Sequence, residues 1–225
     1  MTSAFLFDLN GTMIDDMEYH VAAWTSLLNG DLKADLSDQD IRAQMYGKND
    51  ELFHRLFGNR FSSQEIAQLS LEKEKRYQKA FKSHLKLIRG LDHFLSEAKT
   101  LGIPMAIGTA AIPFNVDFVL DKLRLRSYFK AVVTADDVAV SKPDPEVYLE
   151  CARRLNVNAK GCLVFEDAPK GVEAALNAGM QVVVIRSTLH TDAEFSAYPN
   201  VVRIINDYTE ISAWGLMFRS TGAHS

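Results

Sequence analysis

Asp8 closes a short apolar run, Ala4–Phe7, and is followed by Leu9-Asn10-Gly11-Thr12. A carboxylate there is aimed out of the edge of a sheet, and the glycine turns the chain sharply after it. In an open parallel sheet, ligands bind outside the carboxyl ends of the strands, so the residues just after each apolar run matter most. Two further ends are polar in a complementary way: Gly108-Thr109-Ala110 after Ile103–Gly108, and Glu166-Asp167 after Cys162–Phe165. Ser141-Lys142-Pro143 precedes a helix opening with Asp144-Pro145-Glu146. The inventory is a nucleophilic carboxylate, a hydroxyl, an ammonium and an acidic pair. Gathered carboxylates repel unless a cation intervenes, and oxygen-only ligands favour a hard divalent ion such as Mg²⁺. Lys142 can neutralise one phosphate oxygen and Thr109 can donate to another. Phosphoryl transfer is mostly positioning and charge neutralisation, and Asp8 can attack phosphorus to give an aspartyl phosphate.

Each residue also has a plainer reading. A carboxylate after a strand can be a helix cap, Thr109 a turn former, and Lys142 before Pro143 a solvated loop residue. Glu166-Asp167 can simply cap a helix beginning near Pro169. Their shared position at strand ends favours the joint reading.

The elements that must hold these residues are five short apolar runs, each like a strand buried on both faces: Ala4–Phe7, Ile103–Gly108, Ala131–Thr134, Cys162–Phe165 and Gln181–Ile185. Helical spacing over Ile112–Leu123, Asp144–Leu155 and Pro169–Ala178, with Gly179 as C-cap, fills the gaps between the last four. Alternating strands and helices predict an α/β, doubly wound, Rossmann-like parallel sheet. No convincing strand occurs from Asp16 to Leu101. Helical spacing recurs instead over Glu18–Leu28, Ser37–Met45, Asp50–Phe57 and Ser63–His84, which is too much for a loop. The expected organisation is a core of 1–15 and 87–225 with an all-helical cap inserted at 16–86, placed over the sheet edge where Asp8 emerges. The tail Ser220–Ser225 is expected to fray.

With 225 residues, 47% hydrophobic and 24% charged, the chain can bury one sizeable core or one core plus a small second one. A net charge of −4 offers no general basic field for nucleic acid or an anionic membrane, so any anionic ligand must be held locally. Cys151 and Cys162 are the only cysteines, in helical and pre-strand contexts, which argues against a disulfide framework and fits a reducing compartment. The first apolar run is too short for a signal peptide or membrane span. These features predict a cytoplasmic protein, monomeric by default, and the strand-end residues make a small phosphorylated metabolite its expected substrate.

The chain resembles the haloacid dehalogenase-like hydrolase superfamily, phosphatase branch, and within it the β-phosphoglucomutase-like group. The residues carrying the likeness are Asp8-Leu9-Asn10-Gly11-Thr12 with Asp15, Gly108-Thr109, Ser141-Lys142-Pro143-Asp144-Pro145, and Glu166 through Ala174. They appear in the superfamily's motif order, and the helical insert matches the family's cap in position and size. The resemblance implies Mg²⁺ held by Asp8, Asp167 and the main-chain carbonyl of Asn10, with Glu166 supporting that metal shell from behind. It implies catalytic roles for Asp8, Asn10, Thr109 and Lys142. Substrate contacts are implied for Ala110 and, in the cap, for His20, Gly47, Lys48 and Lys73. Closer likeness to the mutases lies in Glu18-Tyr19-His20, Ala23-Trp24 and Lys73, with His20 expected to face the cleft and Trp24 to be core.

Two residues depart from the mutase pattern. Asp50 stands about where the mutases carry an arginine for a second phosphate, and Lys48 is the available compensating cation. Asn10 stands where the family's phosphatases and mutases carry the aspartate that protonates the leaving oxygen and later deprotonates the incoming hydroxyl. An amide does neither. Three readings of Asn10 stay open: leaving groups that need no proton, such as acyl phosphates, or His20 as a substitute; an engineered variant that traps a substrate complex; and a phospholigand-binding role. The main reading is a Mg²⁺-dependent phosphohydrolase with altered acid–base chemistry, and interconversion of β-glucose 1-phosphate and glucose 6-phosphate is the alternative. Asn10-Gly11 is also a deamidation sequence, because the glycine leaves the next backbone nitrogen free to attack the amide.

Overall fold

The computed structural model describes residues 2–217; the expected fraying of Ser220–Ser225 lies outside them. The chain divides into two compact units, Met1–Asp15 with Lys86–Ser225, and Asp16–Leu85. The second unit is all-helical: α1 (Met17–Thr25), continued by a π-helical turn over Ser26–Asp31, then α2 (Asp38–Gln44), α3 (Asn49–Phe57) and α4 (Ser63–Phe81). Ser37 and Ser62 start α2 and α4, each accepting from the backbone amide three residues on while Asp40 or Glu65 reaches back. Trp24, Leu27, Leu28, Ile41, Leu52, Phe53 and Ile66 form its core.

The other unit is a parallel sheet of β1 (Ala4–Phe7), β2 (Met105–Gly108), β3 (Ala131–Val133), β4 (Cys162–Glu166), β5 (Gln181–Ile185) and β6 (Val201–Ile205), in the order β3-β2-β1-β4-β5-β6. Its helices are α5 (Leu91–Thr100), α6 (Pro113–Lys122), α7 (Glu146–Leu155), α8 (Pro169–Asn177), α9 (Asp192–Phe195) and α10 (Ala213–Met217). This is the doubly wound architecture expected of strands that read as unbroken apolar runs.

β1 shows why such runs are needed: all four of its residues are fully buried, because both faces of the sheet are covered. Ala4 and Leu6 join Val164, Tyr148, Cys151 and Val172 in one core cluster. Phe5 and Phe7 join an aromatic layer on the opposite face, with Phe165 stacked on Phe7 at 4.6 Å between centroids and Phe94 at 5.4 Å from Phe5. Cys151 and Cys162 are buried free thiols. Among the described residues, no helix is long and apolar enough to cross a membrane.

Four of the described strands and α-helices go beyond the five strands and seven helices expected from the sequence: α5, α9, α10 and β6. β6 is an edge strand broken by exposed Arg203, and α5 lies between the expected insert at 16–86 and β2.

Candidate functional site

The register of the two central strands builds the site. Phe7 of β1 lies opposite Phe165 of β4, so Asp8 and Glu166-Asp167 emerge side by side at the carboxyl edge. The Asp8 amide donates to the Phe165 carbonyl at 3.0 Å, which carries the ladder one residue past the strand. The chain then turns tightly: the Met13 amide donates to the Leu9 carbonyl at 2.9 Å, and Gly11 takes a φ of +73°. β1 is flanked by β2 and β4, the point where the strand order reverses and where a crevice forms in such sheets.

Lys142, from the loop before α7, is buried between two of these carboxylates. Its Nζ donates to Asp8 Oδ1 at 2.6 Å and to Glu166 Oε1 at 2.7 Å. One oxygen each from Asp8, Glu166 and Asp167 lie within 4.8 Å of one another. Burial by itself favours a neutral amine, but Asp8 and Glu166 outweigh it and hold the Lys142 pKa above its ordinary value. Asp167 shows the opposite imbalance. Burial, then Glu166 and Asp8, push its pKa well above the carboxylate range, against the pull of Lys142 and the Thr12 hydroxyl. Three buried carboxylates share one ammonium, and the excess negative charge calls for another cation.

Glu166 is fully spent on the protein. Oε1 accepts from Lys142 and from the Tyr148 hydroxyl at 2.9 Å, while Oε2 accepts from the Asp167 and Ala168 amides at 2.8 and 3.0 Å. Those bonds use the roughly four acceptor directions of a carboxylate. Asp8 and Asp167 are therefore the side chains that can present oxygen to a cation, with Glu166 fixing the backbone beneath them. The oxygen-only donor set fits a hard divalent ion.

Thr109 is buried at the end of β2. Its Oγ1 accepts from the Ala111 amide at 3.1 Å, which leaves the hydroxyl proton for another acceptor. Ala110 follows it, half-buried.

Two glycines make the packing possible. A Cβ on Gly11 would stand 2.1 Å from Asp167 Oδ2, and one on Gly171 would stand 1.7 Å from Glu166 Oε1. Gly171→Ala is therefore expected to displace Glu166 and to lower turnover by about 10–100-fold, the usual cost of disturbing a group that orients metal ligands. Turnover and divalent-ion titration on the same preparation, with circular dichroism as the fold control, would check this; unaltered metal affinity would refute it.

Comparison with known proteins shows the family to which the chain belongs. Residues 5–185 match the family described as haloacid dehalogenase-like hydrolase. The chain belongs to the haloacid dehalogenase-like hydrolase family. It is 30% identical to the β-phosphoglucomutase of Bacillus subtilis over 189 residues, covering 80% of this chain and 81% of that protein. It is 30% identical to the protein CbbY of Rhodobacter capsulatus over 203 residues, covering 86% and 89% respectively. Among solved structures, a variant of Rhodobacter sphaeroides CbbY with an aspartate changed to asparagine, in complex with xylulose-(1,5)bisphosphate, superposes with a TM-score of 0.83 at 25% identity, covering 96% of this chain and 99% of that one. Family members of this kind are phosphatases or phosphomutases, and this chain is an enzyme of that class.

The helical unit of this family member holds the other residues singled out from sequence. His20 stacks on Tyr77 at 3.8 Å between centroids, and its Nδ1 lies 2.7 Å from Lys73 Nζ. Its Nε2 lies 3.3 Å from Asp16 Oδ2, which also accepts from the Tyr77 hydroxyl at 2.6 Å. Lys73 also donates to Glu74 Oε1 at 3.0 Å, and Asn49 donates to the same oxygen at 2.8 Å. Burial lowers the Lys73 pKa against the pull of Glu74 and Asp16; with Lys73 as donor, His20 Nδ1 accepts from it and Nε2–H donates to Asp16. His20 and Lys73 are thus buried partners of each other. Gly47, with a φ of +75°, and Lys48 form the half-buried turn before α3.

Tyr148 is a site residue that sequence reasoning missed. It sits on the core face of α7, its hydroxyl on Glu166 and its ring 4.8 Å from Lys142 Nζ. The available signal was a tyrosine in an apolar stripe, since a buried phenol needs a polar partner.

Proposed function

We propose that this protein is a Mg²⁺-dependent phosphohydrolase acting on a small phosphorylated sugar or related metabolite in the cytoplasm, with Asp8 as nucleophile. The observation that carries the reading is the buried Lys142 ammonium joining Asp8 to Glu166 at the ends of adjacent strands, with Asp167 alongside. Asp8, Asp167 and the Asn10 carbonyl are assigned to the ion, whose contribution is to neutralise charge on the transferring phosphoryl group.

An oxygen of Asp8 attacks phosphorus while the bond to the leaving oxygen breaks, giving an aspartyl phosphate. Lys142 holds Asp8 in place and balances charge on the phosphoryl oxygens, joined by the Thr109 hydroxyl and the Ala110 amide. The departing oxygen takes its proton from solvent, because Asn10 carries none to give. Water then attacks the phosphoenzyme, releasing phosphate and restoring Asp8. In the helical unit, we keep a substrate-contact role for the Gly47–Lys48 turn; His20 and Lys73 serve the buried network there.

The bisphosphate complex of an asparagine-bearing CbbY supports retention of phosphosugar binding when such a change is present. The likeness to β-phosphoglucomutase supports a second reading, isomerisation of a sugar phosphate. A phosphate-release screen over sugar phosphates, nucleotides and acyl phosphates, with and without EDTA, separates them. Phosphate release that EDTA stops and Asp8→Ala abolishes is the expected result. An isomerised product without free phosphate would favour the mutase, and binding without turnover in every variant would favour a sensor.

A further inference from the structure

Tyr208 reaches the site from near the end of the described chain. It opens a 3-10 turn, Tyr208–Glu210, anchored by Asp207 Oδ1, which accepts from the Thr209 amide at 2.8 Å. Its ring is buried against Phe94 and Phe165, with centroids 5.6 and 5.8 Å away. Its two polar groups go to the two segments by which the α/β unit connects to the rest of the chain. The hydroxyl donates to the Thr12 carbonyl at 3.1 Å, and the amide donates to the Arg89 carbonyl at 3.0 Å. Those segments are themselves joined, Ile88 donating to the Met13 carbonyl at 2.9 Å and Ile14 bridging Leu87. Gly90 permits the approach: its φ is +81°, and a Cβ there would stand 2.8 Å from the Thr209 nitrogen.

Thr12 connects this clamp to the carboxylates. It is fully buried, and its hydroxyl donates to Asp167 Oδ1 at 3.2 Å, while its neighbour Gly11 packs directly against the other oxygen of Asp167. We propose that Tyr208 is a positioning residue for the divalent-cation site, acting through Thr12 on Asp167. This rests on the assignment of Asp167 to the cation under the proposed function. Burial, then Asp167 and Asp8, keep the phenol protonated, so it is a permanent donor. Removing it leaves a buried carbonyl without that donor and frees the Gly11–Thr12 turn to shift against Asp167.

The test is Mn²⁺ binding to the full chain, followed by electron paramagnetic resonance, beside turnover as a function of Mg²⁺. Tyr208→Phe keeps the ring and deletes the donor. It is expected to weaken Mn²⁺ binding by about tenfold, as loss of other outer partners of metal ligands does, with kcat largely recovered at saturating Mg²⁺. Thr12→Val should weaken binding similarly, and the double variant should be no worse than either single one. Asp167→Asn is the control for the underlying assignment: if it leaves Mn²⁺ binding intact, the assignment fails. If it abolishes binding while Tyr208→Phe lowers only Tm, Tyr208 is a structural prop and the proposal is overturned. Additive losses in the double variant would overturn it too. Should Tyr208→Phe not fold, unchanged affinity in Thr12→Val does the same.

Discussion

Replacing Asn10 by aspartate is expected to raise hydrolysis of alkyl phosphates by about 10²–10⁴-fold, the usual worth of a positioned general acid. Asparagine and aspartate have nearly the same shape, so the turn around Gly11 and the backbone bridge between Asn10 and Ile14 should survive the change. The gain depends on the leaving group. A sugar alkoxide departs poorly unless protonated, whereas an activated phenolate departs unaided and should benefit far less. A carboxyl added two residues from Asp8, near three buried carboxylates, is also favoured in its protonated, donating form. Phosphate release from a sugar phosphate and from 4-nitrophenyl phosphate, measured on both proteins, decides the matter. No gain on either substrate would show that Asn10 is not what limits turnover, and equal gains on the two would show that it limits turnover by something other than protonation of the leaving group. Peptide mass spectrometry across Phe7–Met13 belongs with the measurement, because a deamidated fraction of Asn10 would raise the baseline.

The strand ends were legible because unbroken apolar runs mark strands buried on both faces, and the residues directly after each run must lie at the carboxyl edge. Asp8, Thr109, Glu166 and Asp167 obey that rule. The burial of Lys142 does not come from it. A lysine before proline reads as solvated, and only the folded chain shows it held between two carboxylates that are 134 and 24 residues away. Distance along the chain hid the pairing of His20 with Lys73, 53 residues apart, in the same way. Spacing within each helix gives its buried face but not which buried polar groups will meet. Tyr208 was hidden for a further reason. It lies just beyond β6, whose half-exposed edge position and Arg203 blur the strand signal, so nothing in the sequence marks its neighbourhood as close to Thr12. Gly171 was visible as part of a motif, yet its reason, room for Glu166, exists only in three dimensions.

Lys142→Met should separate the charge role of this lysine from its structural role, because the two predict opposite changes in metal affinity. The side chain is buried and joins Asp8 to Glu166, and removing one partner of a buried ion pair costs roughly 3–5 kcal/mol, since charges are left uncompensated. For a chain of this size, that is a fall in Tm of roughly 6–20 °C. Turnover should drop by about 10²–10³-fold or more, the loss seen when a preorganised electrostatic partner is removed from a reacting site. Divalent binding should move the other way. The three clustered carboxylates lose their ammonium, so the local field becomes more negative and attracts a cation more strongly. The expected result is a protein less stable in EDTA, nearly inactive, and tighter for Mn²⁺, with added divalent ion recovering part of the lost Tm. Calorimetry with and without Mn²⁺ reads all but the activity. If Mn²⁺ binds more weakly than to the parent, Lys142 organises the ligands by holding Asp8 in place, and the bond to Asp8 Oδ1 outweighs the charge that the lysine carries.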